Sequence, residues 1–414
     1  MKFNFKNILI SIPHDSIQFI ACVFVILGMY FSRALISIGM ITLIGAALLN
    51  VNFFSNLKEL FKKPHLLFIT GYFLLNLLSY FWSDNVQYYE ERMRIMMPFL
   101  ILPFSFLSMN KWEMKWYDLL LLLFILANLI GISWSLYQYI QQKESYDIAY
   151  SYSKLIPTPF KNDHIRFSLS VVMSICFCID LFLKYKGSFF RILLLIIVCI
   201  NILYIHILSA KTGVVAFYLV AILGVIQLIF STKYKKIGVL SFFIIITLPF
   251  IMYFMFPSFK NKIGYFNYSL EQIKNDKREA NISDEGRIIS YRYAIDIIKK
   301  NPFLGVGIGD VYDEMDKYYQ KDFQEKTAIT LLPHNQFLMS GVALGFIGIL
   351  YLIVMMISIF KLVKKNDFLY LSFCLIMLFT MMIEPLFETQ YGTCLFLFFL
   401  LLLMKRSKFH LVSM

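Results

Sequence analysis

His334 is the histidine whose surroundings best suit chemistry. It follows Pro333 and precedes Asn335, at the point where a polar segment gives way to a long apolar run. An imidazole with a pKa near ~6.5 can take a proton from a sugar hydroxyl as a general base, or it can pair with a phosphate. A histidine at such a boundary can equally be a half-buried amphipathic side chain, and the residue alone leaves both interpretations open.

Two cations stand at similar boundaries. Lys211 lies within residues 209–213, Ser-Ala-Lys-Thr-Gly, a very short turn between two apolar runs, and Arg287 opens a predicted helix in the polar segment. Each has an ordinary alternative, because a lysine can extend toward lipid headgroups and an arginine at a helix start is often solvated or paired with a carboxylate. A cation in the first turn nevertheless opposes the helix dipole, a small cost that an anionic partner removes.

Two carboxylates lie at the end of another apolar run. Glu384 and Glu388 belong to residues 384–392, Glu-Pro-Leu-Phe-Glu-Thr-Gln-Tyr-Gly. Carboxylates beside hydrocarbon cost free energy, so they usually face a wet cavity or a cation. A plain loop position is the alternative.

A glycine-rich turn at residues 305–309, Gly-Val-Gly-Ile-Gly, could be mistaken for a nucleotide loop. A phosphate cradle needs a buried strand before it and a helix start directly after it, and we predict neither; the Gly-Lys-Ser/Thr ending of a Walker motif is absent too. We expect tight turns that fold the segment back onto the membrane surface. The carboxylates Asp310, Asp313 and Asp316 have no Asp-x-Asp spacing, and we expect a solvated helix face.

The composition sets the class of protein that positions these residues. Of the 414 residues, 59% are hydrophobic and only 16% charged, which leaves too little polar surface to cover a water-soluble globule. The sequence therefore predicts an all-α polytopic membrane protein. The net charge of +13 is explained by loops that set membrane orientation, so we exclude nucleic-acid binding.

About twelve apolar segments have the length needed to cross ~30 Å of hydrocarbon. They are predicted at 16–31, 35–54, 65–82, 95–109, 117–139, 167–183, 192–209, 214–231, 237–256, 336–360, 368–383 and 392–404. This divides the chain into transmembrane helices at 1–256, one large loop at 257–333 with a helix at about 285–300, and further transmembrane helices at 334–414.

The loop charges predict the orientation. Lys and Arg concentrate in the loops on the side of the N-terminus, so both termini should be cytoplasmic and the large loop should lie on the opposite side. On this topology His334, the cations and the carboxylates all fall on the non-cytoplasmic side. That coincidence is the main functional signal of the sequence.

These motifs resemble the O-antigen ligase and polymerase family of bacterial envelope glycosyltransferases. The resemblance is carried by Gly286-Arg287, by residues 301–309, Asn-Pro-Phe-Leu-Gly-Val-Gly-Ile-Gly, and by residues 333–338, Pro-His-Asn-Gln-Phe-Leu. Residues 345–348, 209–213 and 384–392 also follow family patterns. Within the family, the sequence looks most like the O-antigen ligases.

The resemblance implies a GT-C-like enzyme of the bacterial inner membrane with a periplasmic loop. It would transfer a glycan from a polyprenyl diphosphate carrier to lipid A-core, with no cofactor and no metal. His334 and Arg287 would be catalytic. Lys211, Arg287 and Arg166 would bind the donor diphosphate, and the acceptor or sugar would be bound or oriented by Asn335, Glu384 and Glu388.

One position departs from the family pattern. Lys211 stands where the family has arginine, which keeps the charge but loses the bidentate fork for a diphosphate. Three alternatives remain open from the sequence. The protein could be an O-antigen polymerase, a protein O-oligosaccharyltransferase of the same family, or, in another class, a transporter of lipid-linked oligosaccharide or polysaccharide.

Overall fold

The computed structural model describes residues 14–109, 112–152, 154–274, 283–323, 330–363 and 367–409. These residues form helices and connecting turns, and no strand occurs among them. The α-helices are α1 His14–Phe31, α2 Arg33–Leu48, α3 Phe53–Phe61, α4 Pro64–Leu78, α5 Val86–Ser108, α6 Met114–Gln141, α7 Lys143–Tyr150, α8 Pro159–Asn162, α9 His164–Lys184, α10 Ser188–Leu208, α11 Lys211–Phe230, α12 Lys235–Met255, α13 Pro257–Lys274, α14 Ser283–Lys300, α15 Val311–Asp322, α16 Gln336–Phe360, α17 Phe368–Ile383 and α18 Gln390–Phe409.

The chain is a multi-pass membrane protein. Within the described ranges, seven helices are long and apolar enough to cross a membrane, or eight if the bent pair α2 and α3 is one span. Helical backbone satisfies its own hydrogen bonds, which hydrocarbon requires. Each predicted span falls on a helix or on that bent pair, while the count of about twelve crossings stays a prediction.

The predicted span at 35–54 is not one straight helix. It divides between α2 and α3, which are bent by 105° relative to each other. Asn50 provides a physical reason, because its side chain accepts a 2.8 Å hydrogen bond from the Asn52 backbone N–H and donates one of 2.9 Å to the Ser108 carbonyl. The polar side chain therefore anchors a turn where hydropathy alone predicts continuation.

α9 lies at the centre of the bundle. Buried residues make up 78% of its most apolar window, against 11% for α12 at the periphery. It packs against α6, α10, α11 and α17. The start of α9 and the end of α17 are therefore neighbours, and both contribute to the candidate site.

The helix α16 is sharply broken at Gly345, which has φ 65° and ψ −157°. A Cβ placed on Gly348 would lie 2.5 Å from the Ser340 carbonyl oxygen, whereas residues eight apart in a straight helix are separated by about 12 Å along the axis. The two arms are therefore folded toward each other. The predicted span at 336–360 is two helical segments that meet at a glycine.

The glycine-rich turn docks into this break. The N–H groups of Val306 and Gly307 donate 2.9 Å hydrogen bonds to the carbonyls of Val342 and Ala343, and Phe346 N–H donates one of 2.7 Å to the Pro302 carbonyl. The turn thus completes backbone hydrogen bonds that the broken helix lacks. We expected it only to fold the loop back onto the membrane surface.

Other features of this turn also differ from expectation. A helix, α15, does begin directly after it, although no strand precedes it. The N–H groups of Ile308 and Gly309 donate 3.2 Å hydrogen bonds to the hydroxyls of Ser79 and Ser83. Because the backbone donors of the turn bind protein oxygens, the turn is not shaped as a phosphate cradle.

The carboxylates at the start of α15 accept hydrogen bonds from other parts of the protein, so our expectation of a solvated helix face was wrong for this region. Asp310 accepts hydrogen bonds from the backbone N–H groups of Asp84 and Asn85 at 2.8–3.1 Å, and Asp313 accepts one of 2.8 Å from the Asn85 amide. Asp316 accepts from Thr330 and Gln320. These carboxylates fasten the polar segment to the turn that precedes α5.

The apolar spacing of Ile288, Tyr291, Ile295 and Ile298 predicts one buried face of α14, and the structure bears this out only in part. Ile298 is buried and Ile288 and Tyr291 are half-buried, whereas Ile295 is 42% exposed. The other buried apolar residues of α14 are Ile289, Tyr293, Ala294 and Ile297. The helix packs on α16.

Candidate active site

Glu384 is the centre of the candidate site. Its Oε1 accepts a 2.5 Å hydrogen bond from Arg287 Nη2, and its Oε2 lies 3.2 Å from His334 Nδ1. The Glu384 side chain is only 6% exposed, while those of Arg287 and His334 are 23% and 25% exposed. One buried carboxylate therefore joins the two predicted catalytic residues, whose side chains remain partly accessible.

Arg287 and His334 are held together by the backbone as well. Ser290, about two turns into α14, donates a 2.7 Å hydrogen bond to the Arg287 carbonyl and accepts one of 3.4 Å from the His334 N–H. The Tyr291 hydroxyl donates a 2.8 Å hydrogen bond to the His334 carbonyl. These two residues of α14 thus position the peptide that carries the imidazole.

Asn335 fixes the other side of this peptide. Its side-chain oxygen caps α16 by accepting hydrogen bonds of 2.8 and 3.0 Å from the N–H groups of Phe337 and Leu338. Its amide nitrogen donates a 2.8 Å hydrogen bond to the Met382 carbonyl, two residues before Glu384. Asn335 therefore ties the start of α16 to the end of α17, which brings His334 to Glu384.

The geometry defines what this cluster can do chemically. A carboxylate beside Nδ1 favours the tautomer with a proton on Nδ1, so the lone pair lies on Nε2. Arg287 places a fixed positive charge on the opposite oxygen of the same carboxylate. Burial raises the pKa of the Tyr291 phenol, while the smaller effects of Arg287, which lowers this pKa, and of Glu384, which raises it, oppose each other. The hydroxyl therefore stays protonated as a donor at neutral pH.

Lys211 lies on an aromatic surface of α13. Its Nζ is 4.6 Å from the ring centroid of Phe266 and 5.7 Å from that of Tyr265. Ser209, two residues earlier, has a left-handed backbone with φ 52°, which ends α10 and lets α11 begin at Lys211. The short turn therefore places the ammonium against the aromatic side chains of α13.

Arg166 is a buried strut between two segments. It is 8% exposed, its Nη1 lies 2.6 Å from Asp163 Oδ2, and its Nη2 donates a 3.3 Å hydrogen bond to the Pro385 carbonyl. These bonds connect the start of α9 to the residue after Glu384. The guanidinium therefore holds the backbone next to Glu384 in place.

Glu388 forms a second ion pair beside the first. Its Oε2 lies 2.7 Å from Arg92 Nη1, and the same nitrogen donates a 3.1 Å hydrogen bond to the Glu388 carbonyl. The Arg92 guanidinium also stacks 4.8 Å from the Tyr88 ring centroid. Arg92 was missed by the sequence analysis, although a nearby cation is the expected partner of a costly carboxylate.

His164 and Lys262 are two further residues that the sequence analysis did not select. His164 starts α9 and interacts electrostatically with Asp163, Lys262 and Glu384. Lys262 is on α13, is 7% exposed, and places Nζ 5.3 Å from the Tyr265 ring centroid. The spacing of Lys262 and Tyr265 along one helix was the available signal, because residues three apart share a helix face.

Among the residues that the structure describes, no group of three or more His, Cys, Asp or Glu side chains is arranged to hold a metal ion. The cations around Glu384 are instead side chains. Arg287 contacts it directly, and Arg166 supports the following residue.

Comparison with known proteins gives one family match. Residues 196–353 match the sequence model of the family described as O-antigen ligase. No curated protein matches the chain. The matched segment contains Lys211, Arg287 and His334, whereas Glu384 lies beyond it. The match confirms the resemblance seen in the motifs: residues 196–353 are similar to the O-antigen ligase family.

Proposed function

We propose that the protein transfers a glycan from a polyprenyl diphosphate carrier to a hydroxyl of lipid A-core at the periplasmic face of the inner membrane. The observation that carries this proposal is the bridge from Glu384 to both His334 and Arg287. It combines a base, a group that orients the base, and a fixed cation. The family match supports glycosyl transfer as the reaction class.

In the proposed reaction, Nε2 of His334 accepts the proton of the acceptor hydroxyl as its oxygen attacks the anomeric carbon of the donor sugar. The bond from that carbon to the diphosphate oxygen breaks, and the electron pair leaves with the diphosphate. The products are the glycosylated acceptor, the polyprenyl diphosphate and a protonated imidazole. Glu384 stabilises the imidazolium, as a carboxylate does in other triads.

The leaving group explains the cations. A diphosphate departs without a general acid, but its developing negative charge must be met by fixed positive charge. Arg287 and Lys211 fill this role in the proposal. Because these side chains supply the charge, we expect transfer to be independent of divalent metal.

We propose that three other residues act by holding the site together. Arg166, Asn335 and Glu388 were expected to contact the donor, the acceptor or a sugar. In the structure, each of them hydrogen-bonds to other protein groups. Arg166 binds Asp163 and Pro385, Asn335 caps the start of α16, and Glu388 pairs with Arg92. Their contribution would therefore appear as rigidity of the catalytic cluster.

Transfer by purified protein tests the proposal. The protein would be incubated with a polyprenyl diphosphate glycan and with lipid A-core, in the presence and absence of a chelator, and glycosylated lipid would be measured. We expect product in both conditions. Absence of transfer to every acceptor by a folded protein would refute the enzyme assignment, and loss of transfer only with chelator would refute metal independence.

The acceptor separates the related alternatives. A polymerase would extend a second carrier-linked repeat, and a protein O-oligosaccharyltransferase would glycosylate a polypeptide. In a deletion strain, the proposed ligase predicts long carrier-linked polymer with rough lipopolysaccharide. A single repeat on the core would indicate the polymerase, and normal lipopolysaccharide with trapped carrier-linked glycan on the cytoplasmic side would indicate a transporter.

A further inference from the structure

Lys262 is a buried lysine whose surroundings resemble those of Lys211. It is only 7% exposed, an unusual degree of burial for a lysine. Its Nζ lies 5.3 Å from the ring centroid of Tyr265, and the Nζ of Lys211 lies 5.7 Å from the same centroid. Because both distances share that point, the two ammonium groups are at most about 11 Å apart.

The two lysines come from different parts of the chain. Lys211 begins α11, directly after the short turn, while Lys262 lies in the first half of α13. Tyr265 is one turn after Lys262 and supports both ammonium groups with its ring. The fold therefore converges two cations on one aromatic platform.

This platform is linked to the central carboxylate. The His164 ring interacts electrostatically with both Lys262 and Glu384. His164 therefore has one cation of this platform and the central carboxylate among its charged neighbours.

We infer that Lys262 is a second donor-binding residue, which shares with Lys211 the grip on the diphosphate. The inference rests on the proposed function. A guanidinium can hold two phosphate oxygens with one planar fork, whereas an ammonium acts as a point charge. Where this chain has lysine at position 211, a second ammonium restores contact with both phosphates.

The distances allow this role. The shared ring limits the separation of the two ammonium groups to about 11 Å, and a diphosphate can bridge two ammonium groups within that limit, because each charge-assisted N–H···O hydrogen bond is about 2.8 Å long. Each lysine would neutralise one phosphate. Binding of a diphosphate would then depend on Lys262 more strongly than binding of a monophosphate.

The test compares Lys262→Gln with a matched control on the same helix. Lys260→Gln removes an exposed ammonium that lies 6.0 Å from the Tyr253 ring instead. Affinities for polyprenyl diphosphate and polyprenyl monophosphate would be measured on the purified full chain. We expect Lys262→Gln to weaken diphosphate binding by roughly tenfold or more, as loss of one hydrogen bond to a charged group does, with a much smaller effect on monophosphate.

A rescue sharpens this test. We expect Lys211→Arg to recover most of the diphosphate affinity in the Lys262→Gln background, because the fork supplies the missing contact. Lys262→Arg retains the charge and should fold and bind if Lys262→Gln proves unstable. Unchanged diphosphate affinity in a folded Lys262→Gln protein, or equal losses for both lipids, would overturn the inference.

The binding assay also separates this inference from the proposed function. If the wild-type protein binds polyprenyl diphosphate through Lys262 but transfers no glycan, the proposed reaction fails and the binding role stands. If transfer occurs and Lys262→Gln changes neither the donor KM nor the affinity, the proposed reaction stands and the role of Lys262 is refuted.

Discussion

His334 and Glu384 meet through Nδ1 and Oε2, 3.2 Å apart, although 50 residues separate them in the chain. The contact connects the start of α16 to the residue that follows α17. Because the carboxylate occupies Nδ1, Nε2 is the ring nitrogen that would accept a proton. This relationship makes the histidine a candidate base and not only an interfacial side chain.

Replacing His334 tests that role directly. We expect His334→Gln to reduce kcat for glycan transfer by at least about 100-fold, the usual contribution of a general base. Membrane insertion and the unfolding temperature should remain close to wild type, because the backbone contacts of residue 334 persist. Transfer assays at equal amounts of folded protein would measure this, and retained activity would remove His334 as the base.

Glu384→Gln should impair the reaction while preserving shape. The uncharged amide cannot form an ion pair with Arg287 or stabilise an imidazolium by its charge, so we expect kcat to fall by at least about tenfold. Steady-state kinetics would show this. The matched control is Glu388→Gln, which breaks the ion pair with Arg92. We expect this variant to have a lower unfolding temperature than wild type but a nearly unchanged kcat. Equal kinetic effects of the two variants would contradict the central place of Glu384.

Tyr291→Phe should weaken the positioning of His334. Loss of its hydroxyl, which donates to the His334 carbonyl, should reduce transfer by several-fold, corresponding to about 1 kcal/mol. Burial raises the pKa of Tyr291, so the neutral donor persists below that pKa and is lost only above it. The ratio of wild-type to variant rates should therefore be flat from about pH 7 to 9, and a ratio that declines across this range would contradict the assignment.

Lys211→Arg should preserve or improve donor use. The substitution restores the guanidinium of the family pattern, which holds two phosphate oxygens at once. The donor KM should be equal to or lower than that of wild type, whereas Lys211→Gln should raise it by roughly tenfold or more. A severe loss in Lys211→Arg would show that the ammonium has a role which a guanidinium cannot fill.

Gly345→Ala should destabilise the protein. At φ 65° a Cβ would lie 2.5 Å from the carbonyl carbon of Phe303, and backbone strain of this kind costs about 1–3 kcal/mol. Gly45→Ala is the control, because a Cβ there meets no atom within 4 Å. The unfolding temperature in detergent should fall for the first variant and stay equal or rise for the second, because alanine favours a helix interior over glycine.

Much of the framework follows from sequence. The predicted spans coincide with helices because an apolar run of this length has no other stable form in hydrocarbon. His334, Arg287 and Glu384 were selected individually, since charges at the membrane boundary are costly unless they have partners. Which carboxylate meets which cation could not be predicted, because that depends on how α14, α16 and α17 pack.

Other features leave no trace in hydropathy. The break at Gly345 lies inside an apolar run, and its hydrogen bonds are completed by residues about forty positions earlier. The burial of Lys262 depends on the packing of α13 against α7 and α10, which are distant in sequence. Such long-range arrangements are determined by tertiary contacts and not by local propensity.

The docking of the glycine-rich turn into α16 couples the polar segment to the membrane helix through backbone hydrogen bonds. If the segment swung outward, the carbonyls of Val342 and Ala343 would lose their donors in a poorly hydrated place, an expensive exposure. The polar segment therefore cannot move away from α16 without breaking these hydrogen bonds. Chimeras with relatives should accordingly exchange residues 302–309 and 342–346 together, as one cassette.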